Sequence, residues 1–299
     1  MRILITGGSG FVGKPLCARL HERGHELLVV SRNPERARAA LPARTDIRPN
    51  VADFLDSQPE AIINLAGESI AEGRWTEAKK QRLLDSRLNT TQAVVDLCGQ
   101  LDTPPKTLIS ASAMGYYGDQ GDREVTEETP PNPEFVHELC ARWEEAARQA
   151  ESHGVRVALM RIGLVLDRDG GTLAKLLTPF RLGLGGPLGS GKQYMPWIHR
   201  TDLVRIILFL LDQEALAGPF NAGAPEPVTN AEFTRTLARH LHRPAFLPAP
   251  APALRLAFGE MSRILLTGAR MRPQRLQEAG FTFEYPTLDE ALSEILRSR

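Results

Sequence analysis

The feature that most constrains this chain is the run Thr6-Gly7-Gly8-Ser9-Gly10-Phe11-Val12-Gly13. Before it, Arg2-Ile3-Leu4-Ile5 is short, apolar and β-branched, as a strand buried in a parallel sheet is. After it, Lys14-Pro15-Leu16-Cys17-Ala18-Arg19-Leu20 carries apolar residues at helical spacing, and Gly24 supplies a stop. The glycines therefore sit at a strand-to-helix turn. There, backbone N–H groups and the positive end of a helix can hold a pyrophosphate. Gly7 would permit the tight turn, Gly10 the close approach of backbone to phosphate, and Gly13 the close packing of helix on strand, with Phe11 and Val12 completing the turn. The spacing is G-x-x-G-x-x-G rather than G-x-G-x-x-G, so the flanking strand and helix carry the dinucleotide reading.

Glu26-Leu27-Leu28-Val29-Val30 reads as the second strand, one helix later, as a βαβ unit requires. About 20 residues past the glycines an NAD site places Asp or Glu on the ribose 2′-hydroxyl. This chain has Ser31-Arg32 instead. A hydroxyl and a guanidinium there would grip a 2′-phosphate, which points to NADP. Further strands are expected at Ala61–Gly67, Thr107–Ala111 and Val155–Ile162, and long helices at 76–99 (closed by Gly99) and 134–153. Leu65-Ala66-Gly67 is small enough to let a cofactor lie against the backbone. Alternating β and α elements with short connections predict an α/β fold, a Rossmann-like doubly wound parallel sheet with a smaller C-terminal substrate region.

Residues 1–165 form the expected NADP-binding part, with elements near 197–230 returning to it. Residues 166–244 read as a substrate-side region, irregular between Asp167 and Pro196, and 245–299 as a small C-terminal domain beyond a Pro/Ala boundary. The balance of 36 basic and 36 acidic residues gives no net field that would favour nucleic acid or an anionic membrane surface. The apolar run Leu203–Leu211 is too short to span a bilayer. Cys17, Cys98 and Cys140 show neither metal-ligand spacing nor a disulfide framework, and the first strand starts almost at Met1. A cytoplasmic setting is expected.

The glycine turn, Asn64-Leu65-Ala66-Gly67, the serine strand ending in Tyr117-Gly118, and Trp197-Ile198-His199 followed by Asp202 occur in that order. Together they resemble the extended short-chain dehydrogenase/reductases, the superfamily of nucleotide-sugar epimerases and dehydratases. Asn64 through Glu68, Gly73-Arg74-Trp75, Ser86-Arg87, Phe180 through Gln193, Pro273, Leu276 and Gly280-Phe281 are closer to one epimerase-like subfamily with a C-terminal domain of unknown function. The resemblance implies a catalytic hydroxyl at Ser112. It also implies a Tyr-x-x-x-Lys pair on the next helix, in which the lysine lowers the tyrosine pKa. Counting from Trp143-Glu144, those two places hold Val136 and Cys140, neither of which can move a proton in that role. The superfamily further implies a homodimer through the helices 76–99 and 134–153.

Tyr116 or Tyr117 is placed to serve instead, or to lie buried under the substrate loop; Tyr117 is taken with Ser112 as the catalytic pair. His137, one residue from the place of the tyrosine, is either a proton-transfer candidate or a residue of an exposed helix face. Glu68 is a substrate or ribose contact, and Cys140 a small core residue. Arg87 is either a cofactor or substrate contact or a surface charge. Arg161 lies at the end of a buried strand and needs a carboxylate partner or an anionic ligand. Gly186 through Lys192 imitates a phosphate-binding loop, but Gln193 replaces its magnesium-binding hydroxyl, which excludes an NTPase. His199 with Asp202 lacks a third metal ligand, and Thr201 or Asp202 is expected to cap a helix. The resulting reading is an NADP(H)-binding oxidoreductase or epimerase-like enzyme on a small polar substrate. A non-catalytic NADP(H)-binding regulator or interaction protein is the alternative.

Overall fold

The computed structural model describes residues 1–297. Seven strands form its central sheet: β1 (Arg2–Thr6), β2 (Glu26–Val30), β3 (Asp46–Arg48), β4 (Ala61–Asn64), β5 (Thr107–Ala113), β6 (Arg156–Ile162) and β7 (Gly218–Ala222). Every neighbouring pair is parallel. The spatial order is β7-β6-β5-β4-β1-β2-β3, so the chain reverses its direction of travel between β1 and β4. In such a sheet the crevice for a ligand lies at the carboxyl ends of those two strands.

Alternation along each strand builds two cores. Ile3, Ile5, Val29, Ile63 and Ile109 face the helices Gly13–Glu22 and Arg200–Asp212, which contribute Leu16, Leu20, Leu203 and Ile207. Leu4, Leu28, Ile62, Leu108 and Val157 face the other way, onto Val94 and Val95 of helix Glu77–Gln100 and Ala147 of helix Phe135–Arg148. Both faces are covered, which explains why these strands read as near-continuous apolar runs.

Several boundaries differ from the sequence expectation. The strand after Glu60 stops at Asn64, because the Ala66 amide turns to donate to Thr6 Oγ1 at 3.2 Å and leaves the ladder. Gly99 does not close its helix, which runs on to Gln100; a side chain at 99 would strike the His153 ring, so glycine makes room there. The segment expected to be irregular contains a helix, Gly171–Arg181. Its Leu173, Leu177 and Phe180 are buried at helical spacing, a signal hidden by flanking glycines. The three-residue β3 carried too little pattern to be read.

A third core joins Trp197, Phe233 and Leu237 to Leu288, Leu292 and Ile295 of the C-terminal helix Leu288–Arg297. The C-terminal part is tied down by a buried carboxylate. Asp202 accepts the backbone amides of Glu284 and Tyr285, both at 2.9 Å, and pairs with Arg205 at 2.6 Å. The expected cap is therefore corrected: His199, through Nδ1, accepts the Thr201 amide, and Asp202 serves the distant segment. Among the described residues no helix is long and apolar enough to cross a membrane. Asp202→Ala should lower unfolding free energy by about 2–4 kcal/mol in a denaturant titration, since two amides lose a charged acceptor. Asp202→Asn should cost less, because one oxygen remains.

Candidate active site

The glycine turn lies in the crevice the sheet order creates. Gly7 has φ +72°, a left-handed conformation, and a Cβ there would lie 2.9 Å from the Leu65 carbonyl carbon. The turns after β1 and β4 thus abut backbone to backbone. A Cβ at Gly13 would collide with the Gly7 oxygen and lie 2.6 Å from Gly8 Cα, so Gly13 lets the helix close on its own turn rather than on the strand. A Cβ at Gly10 would meet only Gly7 O, at 3.0 Å, leaving the outer face of the turn open. Val12 packs against the core below, while Phe11 points the other way. The Phe11 ring rests on Gly170 and Gly171, with the Arg200 guanidinium 5.0 Å from its centroid and Arg200 paired to Asp167 at 2.8 Å. A segment that follows β6 is thereby seated on the turn. Open amides beside a helix start fit the anionic part of a dinucleotide.

At the end of β2 the two expected residues behave differently. Ser31 is half-buried: its amide donates to the Arg48 carbonyl at 3.0 Å, and its hydroxyl stays local, donating to the Asn33 carbonyl and accepting from the Asn33 amide. Arg32 is exposed and makes no ion pair or side-chain hydrogen bond among the described residues. Beyond β4, Leu65 and Ala66 adjoin Thr6, and Gly67 faces Arg87: a Cβ at Gly67 would lie 3.2 Å from Arg87 Cζ. Arg87 is no surface charge. It is 9% exposed, donates to the carbonyls of Leu83 and Glu68 at 3.0 Å, and lies 5.0 Å from the Trp143 ring centroid. Its Nε is buried without a hydrogen-bond partner, and burial holds its pKa below the usual arginine range. Glu68 pairs with buried Lys79 at 2.5 Å, and that hydrogen bond keeps its carboxyl below the ordinary range.

At the end of β5 the structure supplies the partner that Arg161 required. Arg161 forms a bidentate pair with Glu144, Nε to Oε1 at 2.9 Å and Nη2 to Oε2 at 3.0 Å. Both side chains are almost wholly buried. Ser112 donates to the same Glu144 oxygen at 2.7 Å. Arg161 Nη1 donates to the Tyr117 hydroxyl and to the Glu127 carbonyl, each at 3.0 Å, and the Tyr117 hydroxyl donates to Asn221 Oδ1 at 2.6 Å. The Arg161 guanidinium also lies 3.4 Å from the Tyr116 ring centroid. Burial alone would lower the Arg161 pKa, but the hydrogen bonds it donates to the Glu144 carboxylate hold it above the usual arginine range. Burial pushes the Tyr117 phenol up to about 12, against the opposing pull of Arg161.

Ser112 and Tyr117 are therefore brought into one network, but as buried members of it; Tyr117 is fully sealed from solvent. Val136 and Cys140 pack under Gly115, whose Cβ would lie 3.2 Å from Val136 Cβ. Burial pushes the Cys140 thiol up to about 12, which suits the core role expected of it. His137 is half-buried, with Nδ1 2.7 Å from the Tyr116 carbonyl. The loop 186–193 runs from the helix Gly171–Arg181 to a short strand at Tyr194–Met195. Gln193 stitches it to the carbonyls of Leu188 and Leu265.

Sequence reasoning missed Glu144, Asn221 and Glu127. Only the demand of Arg161 for a partner signalled the first. Glu127 accepts the amides of Asn221 and Arg275, at 2.9 and 3.3 Å, from elements far apart in the chain. Burial raises its pKa.

A doubly wound parallel sheet with a glycine turn at its switch point and a hydroxyl-bearing fifth strand defines the dinucleotide-binding class of α/β proteins. Residues 3–223 match the model of the NAD dependent epimerase/dehydratase family, and residues 249–295 match a domain of unknown function, DUF1731. The chain belongs to that epimerase/dehydratase family. It is 39% identical over 300 residues to the Epimerase family protein SDR39U1 of Homo sapiens, covering 99% of this chain and 100% of that protein. It is 42% identical over 294 residues to the Epimerase family protein Mb2239 of Mycobacterium bovis, covering 97% and 96%. The crystal structure of human SDR39U1 (isoform2) with NADPH superposes with TM-score 0.89 and 36% identity over the whole of both chains.

Removing the carboxylate under Ser112 should be severe. Glu144→Ala strands the Arg161 charge and should cost about 3–5 kcal/mol in urea unfolding. The double variant Glu144→Leu, Arg161→Met should recover part of that loss, because no charge is left buried.

Proposed function

We propose that this protein is an NADP(H)-dependent oxidoreductase or epimerase-like enzyme acting on a small-molecule substrate. The observation that carries the reading is Arg32, an exposed guanidinium without a partner among the described residues, at the end of β2 beside the glycine turn. A dinucleotide lying on that turn would bring its ribose 2′-phosphate there, where a fork of N–H donors suits it. The human relative solved with NADPH supports the same cofactor. Gly7, Gly10, Phe11, Val12 and Gly13 would hold the pyrophosphate, Ser31 and Arg32 the 2′-phosphate, and Leu65, Ala66, Gly67 and Arg87 the wall after β4.

When bound, the nicotinamide supplies hydride chemistry. The chain's own part is to orient the substrate. Ser112, held by its hydrogen bond to Glu144, would be the hydroxyl that polarises a substrate carbonyl or hydroxyl at the strand end. Tyr117 would be a positioning residue that holds Arg161 and Asn221, since its own proton is sealed in. Residues 166–244 and 245–299 would supply the substrate side. Three buried free cysteines fit the reducing cytoplasm we propose as its setting. The adjacent helices Glu77–Gln100 and Phe135–Arg148 offer the face for a homodimer, which light scattering should show as twice the chain mass.

A second reading, a non-catalytic NADP(H)-binding regulator or interaction protein, draws on Val136 and Cys140 in the places of a proton-transferring pair. Substrate-dependent NADPH oxidation that Ser112→Ala abolishes, with cofactor affinity kept, would exclude it. The cofactor assignment itself is tested by fluorescence titration. Arg32→Ala should weaken NADPH binding roughly 10–100-fold, the worth of a charged hydrogen-bonded contact, and leave NADH within about twofold. Equal loss for both nucleotides would remove the 2′-phosphate role.

A further inference from the structure

Near the carboxyl ends of β4 and β5, an apolar cluster gathers side chains from distant parts of the chain. Ile70 after β4, Ala113 at the end of β5, Tyr116 just beyond it, and Phe258, Ile264 and Leu265 of the C-terminal segment stand partly buried there. Beneath them is a closed core that includes Trp75, Val136 and Cys140. Three separate stretches of chain thus bring aliphatic and aromatic groups to the carboxyl ends of β4 and β5. That is where the sheet order places the part of a ligand beyond the dinucleotide's phosphates. Cations on the same rim are already spent on the protein. Arg74 donates to the Leu256 carbonyl at 2.6 Å, Lys80 pairs with Glu260 at 2.6 Å, and Arg263 pairs with Glu134 at 2.8 Å.

We infer that the substrate of this site carries an alkyl or aryl body beside a single carbonyl or hydroxyl group, in place of a sugar or a nucleoside diphosphate. The inference rests on the NADP(H) reading and narrows its substrate from small and polar to apolar next to the reacting carbon. Sugar hydroxyls set against these walls would lose water without gaining partners. A diphosphate would have to displace Glu260 from Lys80 and Glu134 from Arg263. An apolar body would instead remove both its own surface and that of Ile70, Ile264 and Leu265 from water. The Tyr116 ring is held in place by Arg161 stacked at 3.4 Å, which gives the wall a rigid flat member.

The test uses the full chain saturated with NADPH, titrated separately with 4-phenyl-2-butanone, 2-octanone, UDP-glucose and glyceraldehyde, followed by calorimetry and tryptophan fluorescence. The two ketones should bind with a negative heat-capacity change, and UDP-glucose and glyceraldehyde should bind more weakly. Ile264→Asn should weaken ketone binding about tenfold by removing apolar contact, with NADPH affinity unchanged and Ile264→Val behaving as wild type. Leu265→Thr serves the same purpose if Ile264→Asn does not fold. Should NADPH bind while the ketones do not, or while UDP-glucose or glyceraldehyde binds as tightly as they do, the substrate class is wrong. Unchanged ketone binding in the wall variants would overturn it too. Failure of NADPH itself to bind would instead bring down the functional reading on which it stands.

Discussion

A guanidinium enclosed at Arg161 cannot stay charged inside a sheet without a carboxylate opposite it, and much of the surrounding structure follows from that demand. Glu144 answers it from the helix Phe135–Arg148, fixing that helix against β5 and β6. Ser112 spends its proton on the same carboxylate, and the Tyr117 hydroxyl and the Glu127 carbonyl accept from Arg161 Nη1. Through Tyr117 the network reaches Asn221 on β7, and through the Glu127 side chain it reaches Arg275 in the C-terminal part. One ion pair therefore links three strands of the sheet to the C-terminal part of the chain. Its stabilising value is modest, since desolvation offsets the attraction; its effect is to allow one arrangement of these elements.

The same network explains how a member of an epimerase family can hold Val136 and Cys140 at the places of a tyrosine and a lysine. The hydroxyl at Ser112 is organised by Glu144 and Arg161 from behind, without help from that helix position. What remains on the front is an apolar surface completed by the C-terminal segment, with its rim charges paired across the gap. The dinucleotide half of the crevice is generic to the fold.

The glycine turn was legible because it depends on local geometry. Gly7 needs a left-handed φ and Gly13 needs the space its helix would otherwise occupy, and both needs are written within eight residues. The parallel strands were legible through their apolar runs, and the requirement at Arg161 through the cost of a buried charge. The helix Gly171–Arg181 was obscured by glycines at both its ends, and Gly99 was misread because its reason is the His153 ring rather than a helix stop. Tyr117 could be picked out as a phenol near the site, but its burial and its bond to Asn221 depend on a residue 104 positions away.

By itself the sequence determined the doubly wound sheet, the dinucleotide turn and the basic residue beside it, because periodicity, glycine stereochemistry and charge act over short stretches of chain. Only the tertiary structure decided that Glu144 is the partner of Arg161, that Asp202 holds the C-terminal segment, and that Ile70, Ala113 and Tyr116 meet Phe258, Ile264 and Leu265 in one apolar cluster. Those facts rest on which distant side chains come within hydrogen-bond or van der Waals reach, and that is settled by packing rather than by spacing.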